Sequence, residues 1–364
     1  MKRKGSIRSA WGLVLVLLVA LTGCRSPSLR PGSEPPILPP AASYLRVSNK
    51  NEQRRDLQIA LRRFSPQHGR GPSLWLVGVS HIGEASYYQT LQQLLETNRV
   101  VLFEGVGLKT SGDGGRSRAS GPGKSVSRPS AQDPLRRDAL DHSLQGTLAR
   151  SLGLVFQLTA IDYSRPHFRN SDLTRADLER LISGPEPEKP ASKQASIDHS
   201  SNEAEEQFAI LMQAMEEGSW LNSMAKFLLG FIESSPQMRG LARLAMIEML
   251  GGVGGDFESL ARVNPGIQGL LEVLVQARNA KVMEDLSSWL RRRHPPASIA
   301  IFYGAAHMKD FESRLRESFH YVAREEVWLT AFGVDFQQSG IGTAERAMIR
   351  SMIEWQLEAL KESR

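Results

Sequence analysis

Ser73-Leu-Trp-Leu-Val-Gly-Val-Ser-His-Ile-Gly83 is an apolar run that stops at Gly-x-x-His, and Ala300-Ile-Phe-Tyr-Gly-Ala-Ala-His-Met308 repeats the pattern more than two hundred residues later. Each run leads into a segment of helical texture. A buried strand that stops at Gly-x-x-His leaves its histidine on the carboxyl edge of a sheet, where open α/β folds gather their ligands. Two such edges can face one crevice, so the pair reads as an α/β fold. The expected architecture is a central mixed sheet with flanking helices and a helical insertion lobe.

Outward from the first run, Leu57–Phe64 has the apolar content of a half-buried strand, and the turn through Pro66 and Pro72 returns the chain as Leu74–Val79. Glu84–Thr97 carries Tyr88, Leu91, Leu94 and Leu95 at helical spacing, and Val100-Val-Leu-Phe103 is a short buried strand ending at Glu104. Strand, helix, strand makes a βαβ unit whose two strand ends point the same way, which predicts His81 beside Glu104. Leu135–Leu154 reads as a helix and Val155–Ile161 as a third strand ending in Asp162-Tyr163. Thr174-Arg-Ala-Asp177 has the spacing of a capping box and opens a helix to about Ile182.

Two tracts lack periodicity, near residues 109–134 and 184–202. Their Gly, Ser, Arg and Pro content predicts disordered insertions. Residues 203–292 read as a helical lobe rich in Met and Leu, broken at Gly218 and Pro236, with a long helix from Ile267 to Arg292. Its methionines suit core packing better than a promiscuous groove. Gly251-Gly-Val-Gly-Gly255 is not a phosphate loop, because it follows a helix and lacks the Lys-Ser/Thr ending. Strand Ile299–Tyr303, a helix to Ser318, strand Val322–Phe332 and a helix Thr343–Leu360 complete the chain, so that residues 44–364 form one α/β domain.

At the other end, Met1-Lys-Arg-Lys4 and the apolar stretch Gly12–Leu21 have the form of a signal peptide over residues 1–23. Leu21-Thr-Gly-Cys24 resembles the bacterial lipobox, which implies lipidation of Cys24, and residues 24–43 are a Pro-rich tether. Arg25 is not the aspartate that retains such proteins at the inner membrane, so the expected location is the cell envelope, at an outer membrane facing the periplasm. Cys24 is the only cysteine, which excludes an intramolecular disulfide and a Cys-type zinc site. Discounting Lys2, Arg3, Lys4 and Arg8 lowers the formal net charge from +6 to +2. With no basic run interleaved with aromatics, nucleic acid is not an expected partner.

Two imidazoles and a carboxylate form a ligand set for a divalent metal with open positions, able to lower the pKa of a bound water. The same His81, Glu104 and His307 also serve metal-free hydrolysis, one histidine acting as general base and Glu104 orienting it. A lone strand-end histidine is ordinarily a hydrogen-bonding residue; two in matching contexts point to a site. Arg278 reads either as a ligand for a substrate carbonyl or as an ion-pair partner of Glu104 or Asp162. Asp162, Tyr163, Tyr303 and Glu84 are further candidates, and His68, His142, His167, His199, His294 and His320 read as surface residues. Gly78-Val-Ser-His-Ile82 lacks the final glycine of a nucleophile elbow, which disfavours a serine hydrolase.

Gly78-Val-Ser-His81, Val101-Leu-Phe-Glu104, Arg278-Asn279 and Gly304-Ala-Ala-His307 together resemble the TraB/GumN family, which includes the TIKI metalloproteases and is distantly akin to erythromycin-esterase and ChaN-like proteins. The resemblance covers Leu74 to Leu315; the low-complexity insertions are foreign to compact members. It implies a metal-dependent hydrolase such as a peptidase, with His81, Glu104 and His307 as metal-site residues and Arg278 beside them. The rival reading is a lipoprotein that binds a ligand without turning it over, such as haem in ChaN-like relatives, through histidine or tyrosine.

Overall fold

The computed structural model describes residues 35–105, 143–174, 177, 180–181, 229–230, 232–253 and 272–362. The chain divides into two units at Pro36, and the second, Ile37–Arg364, is the one described. Both expected insertions lie outside the described residues, as do the leader and most of residues 203–235.

Seven strands form one mixed sheet. Strand β2 (Arg54–Pro66) is its longest inner member, and β9 (Tyr321–Asp335) runs antiparallel along one whole edge of it. The other edge of β2 is shared: β1 (Leu45–Asn51) pairs with Arg54–Ile59, and β3 (Ser73–Val79) with Leu61–Phe64. Beyond β3 come β8 (Ser298–Gly304), β5 (Val100–Phe103) and β7 (Phe168–Asn170), all parallel to it. A separate two-residue ribbon joins β4 (Ile82–Gly83) to β6 (Val155–Phe156).

The alternation of side chains across the pleat gives the sheet two apolar faces, and each is covered. Leu57, Ile59, Leu61, Val77, Val101 and Phe302 face one core, against helix α1 (Ala85–Glu96), α2 (Leu144–Ser151), α4 (Pro236–Val253) and α7 (Thr343–Glu362). Leu74, Leu76, Leu102, Ile301 and Tyr303 face the other, against α5 (Arg278–Leu290) and α6 (Met308–Glu317). The parallel strands are buried on both faces, which is why they read as unbroken apolar runs.

One expected strand is corrected. Residues 155–161 are not a strand: only Val155 and Phe156 pair, and Gln157–Ala160 turns into the short helix α3. Phe156 and Ile161 are the buried apolar residues there, a spacing of five that serves a turn of helix as well as a strand. The remaining parallel strand is β7. The described helices of the expected insertion lobe, α4 and α5, pack on opposite faces of the sheet through Leu244 and Ile247 and through Val282, Met283 and Leu286. A π-turn, Glu272–Ala277, precedes α5. Within the expected tether, Leu38 and Ala41 pack on the core; residues 24–34 lie outside the described residues. Thr174 and Asp177 do exchange the reciprocal bonds of a capping box, Asp177 N–H to Thr174 Oγ1 and Thr174 N–H to Asp177 Oδ2, each 3.1 Å.

Candidate active site

The two Gly-x-x-His motifs end adjacent parallel strands. Gly78 lies opposite Tyr303 and Val79 opposite Gly304, so β3 and β8 deliver His81 and His307 to one edge. The βαβ unit does not make direct neighbours of its strands, as its local order predicts; β8 is inserted between β3 and β5. Glu104 therefore reaches His81 across the end of β8, and the residue there is Gly304.

The two motif glycines have different reasons. A side chain at Gly78 would press to 2.9 Å of Ile59 Cγ2 and 3.2 Å of the Ala60 carbonyl, so glycine lets β3 close on β2. At Gly304 a methyl group would meet only ordinary contacts: Glu104 Oε2 at 3.5 Å, His307 Cδ2 at 3.7 Å and His81 Nε2 at 4.0 Å. That point is common to all three predicted residues.

His81 is exposed and follows β3 in a loop whose Ser80 Oγ bonds the Ile82 carbonyl. The β4–β6 ribbon sets Gln157 opposite it: Gln157 N–H donates to the His81 carbonyl at 2.8 Å, and Gln157 Oε1 meets His81 Nδ1 at 3.0 Å. Gln157 Nε2 is spent on Tyr163 Oη at 2.8 Å, so Oε1 accepts and the proton sits on Nδ1. His307, 6% exposed, lies in a 3₁₀ turn after β8, edge-on to Tyr303 and stacked on Phe311. Its Nδ1 meets Asn279 Oδ1 at 2.7 Å, while Asn279 Nδ2 donates to Asp310 at 2.7 Å. By the same logic both rings keep Nε2 bare. The partners orienting the rings are thus amides, and Glu104 does not orient either.

Glu104 is held at both oxygens, by Arg278 Nη2 at 2.6 Å on Oε1 and by Gly304 N–H at 2.9 Å on Oε2. Arg278 in turn binds Asp172 through Nε at 2.9 Å and Nη2 at 2.8 Å, and Asp172 also accepts from Gly105 N–H. The predicted pair of Arg278 with Glu104 is present; Asp162 instead holds Arg165. Burial opposes ionisation of Glu104, but Arg278, then His307, His81 and Gly304 N–H, bring its pKa down from 4.5 to about 2. Arg278 is raised, its hydrogen bonds to Asp172 and the charge of Glu104 outweighing burial. Burial pushes His307 down from 6.5 to about 4 against the pull of Glu104.

At neutral pH the site therefore holds a neutral His307 and a carboxylate. Both folded values lie below the unfolded ones, so the unfolded chain takes up protons first and stability falls as the medium is acidified. The loss attributable to His307 runs from about pH 6.5 down to 4, and that of Glu104 from 4.5 to 2. Chelator-treated protein should keep its thermal midpoint between pH 8 and 7 and lose on the order of 3 kcal/mol through His307 by pH 4. His307→Gln should remove the upper part of that slope, and an unchanged slope in this variant would contradict the assignment.

Of the further candidates, Tyr163 and Tyr303 line the site from behind with hydroxyls already engaged, Tyr163 by Gln157 and Tyr303 by the Ser171 carbonyl. Glu84 is elsewhere, near Arg54 and accepting from Gly333 N–H, and Asp162 caps its own loop through Ser164. Asp172 and Gln157 carry no signal in the sequence: Asp172 follows a strand of only three residues, and Gln157 lies in an apolar run that reads as a strand.

Glu104 is engaged by Arg278 Nη2 and Gly304 N–H, and each ring is engaged by an amide at Nδ1. Among the described residues no three His, Cys, Asp or Glu side chains are grouped to hold one ion. Among the same residues no helix is long and apolar enough to cross a membrane. Comparison of the chain with protein-family models, with curated proteins and with solved structures gave no match.

Proposed function

We propose that the chain is an envelope-anchored hydrolase of the TraB/GumN type, cleaving an acyl bond in a peptide or ester. The observation that carries this reading is the common point at Gly304, approached by His81 Nε2, Glu104 Oε2 and the Cδ2 edge of His307. His81, the exposed ring, takes a proton on Nε2 from a water attacking the substrate carbonyl, while Gln157 keeps Nδ1–H in place. The neighbouring Glu104 carboxylate favours the imidazolium so formed. The proton then passes to the leaving amine or alkoxide as the acyl bond breaks. Arg278 Nη1 has no hydrogen-bond partner among the described residues and serves the carbonyl oxygen as negative charge builds on it. His307, neutral and buried, holds the second bare Nε2.

A divalent cation on the two Nε2 atoms is a second reading, favoured by the matching tautomers of the rings. Such an ion would supply a water of lowered pKa. Lipidation at Cys24 and an outer-membrane location belong to the same proposal.

Gly304→Ala tests the reading at its centre. The added methyl meets no contact shorter than 3.5 Å, so the fold should be kept. It fills the space the reacting atoms need, and a displacement of that size costs about a hundredfold in rate. Turnover of a peptide and ester library should fall by about that factor, with metal content measured on the same samples. Undiminished turnover in Gly304→Ala would move the chemistry elsewhere.

A further inference from the structure

The parallel strands have a second edge, at their amino ends, and the chain gathers positive charge there. Ser73 N–H bonds the Ala297 carbonyl at 3.0 Å, Arg99 N–H bonds Ser298 Oγ at 3.2 Å, and Gln67 N–H bonds the His320 carbonyl at 2.8 Å. These contacts bring the turn before β3, the entry to β5 and the loop from Arg291 to β8 onto one edge. On it stand Arg70, Arg99, Arg291, Arg292 and Arg293, all exposed. None of the five forms an ion pair among the described residues; Arg292 lies over the Trp289 ring at 3.4 Å. Of the acidic groups toward this edge, Glu96 and Asp162 bind Arg165, Glu317 accepts from Ser313, Glu325 binds Arg63 and Glu326 binds Arg62. Positive charge after the last turn of α5 offsets the helix dipole, which accounts in part for Arg291–Arg293 and not for Arg70 or Arg99.

The same edge receives the chain arriving from the amino terminus. Leu38 N–H donates to the Ala323 carbonyl at 2.8 Å, and Arg316 Nη2 binds the Leu38 carbonyl at 3.0 Å. Ala323 pairs with Phe64 and lies two residues from the start of β9, so the described segment enters at the amino edge, away from His81 and His307. From Ile37 back to Cys24 an extended chain spans at most about 45 Å.

We propose that this arginine edge docks on the surface of an anionic phospholipid bilayer and turns the histidine edge away from the membrane. The inference rests on the envelope-anchored part of the proposed function and not on its hydrolytic part. An anionic leaflet attracts clustered arginines, while Trp289, packed on the core, holds Arg292 in place. Docking leaves the histidine edge facing the aqueous compartment.

The chain from residue 24 onward carrying Cys24→Ser separates the surface from any acyl anchor. It should sediment with vesicles of phosphatidylcholine and phosphatidylglycerol and not with phosphatidylcholine alone, and added salt should release it. Each basic residue near such a surface is worth about a factor of five, so Arg291→Gln/Arg292→Gln/Arg293→Gln should weaken binding roughly a hundredfold. Arg150→Gln/Lys309→Gln, which removes charge elsewhere, should bind like the parent. No binding by the parent, equal binding by the triple variant, or preference for heparin or DNA over vesicles at matched negative charge would each overturn the proposal. Palmitate incorporation into the unaltered chain tests the anchor by itself, so its failure is told apart from failure of the docking surface.

Discussion

His81→Ala is expected to lower turnover about a thousandfold, within the range for loss of a general base. The thermal midpoint should stay within about 2 °C, the effect of an exposed side chain with few packed neighbours. The contrast matters because His81 is exposed while its partner Gln157 is buried and keeps its bond to Tyr163. Glu104→Gln is the companion: it preserves an acceptor for Gly304 N–H and the shape of the side chain while removing the charge beside both rings. It should depress turnover by about a hundredfold or more, because the imidazolium loses its counter-charge. Steady-state rates and melting curves on the two variants supply the measurement. Retention of more than about a tenth of the parental rate by His81→Ala would remove that ring from proton transfer.

Glu312→Ala is expected to cost about 3 to 5 kcal/mol of stability, the range for stripping one partner from a buried ion pair. Glu312 and Arg62 are 3% and 2% exposed, and Arg62 Nη1 bonds both carboxylate oxygens at 2.7 and 2.9 Å. Tyr44 Oη donates to the same carboxylate at 2.8 Å, Ala41 N–H at 3.3 Å and Arg316 Nε at 2.8 Å. Removing it leaves Arg62 with the half-exposed Glu326 and the Pro39 carbonyl. The same cluster pins residues 38–44 to the body, so the loss should appear twice, as a midpoint lower by about 10 °C and as faster proteolysis within residues 37–43. A decrease below about 1 kcal/mol in denaturant titration would mean that neighbouring charges or water take over the role of Glu312.

The strands that end at the candidate site are legible because their signal is local. Ser73–Val79, Val100–Phe103 and Ser298–Gly304 are buried on both faces, and the chain must mark each with an unbroken apolar run. Where the run stops, a polar residue must sit on an edge, so His81, Glu104 and His307 were readable as edge residues one at a time. The paired motifs suggested that they meet. The mixed sheet followed from the same runs, whereas β1 and β7 were missed: β1 is partly polar and β7 has only three residues.

Neighbourhood across the sheet has no local signature. Strand β8 comes two hundred residues after β3 and still inserts between β3 and β5, a choice made by how two apolar faces are covered at once. That insertion, not the βαβ unit, places Gly304 between them, with Glu104 Oε2 and His81 Nε2 on its two sides. Asp172 behind Arg278 and Gln157 behind His81 are similarly products of packing, since any short polar residue near a strand end reads alike in a sequence. By itself the sequence determined which residues reach the edge, because periodicity and burial act along the chain. Only the tertiary structure decided which of them touch, because hydrogen bonds and charge pairs depend on distances through space.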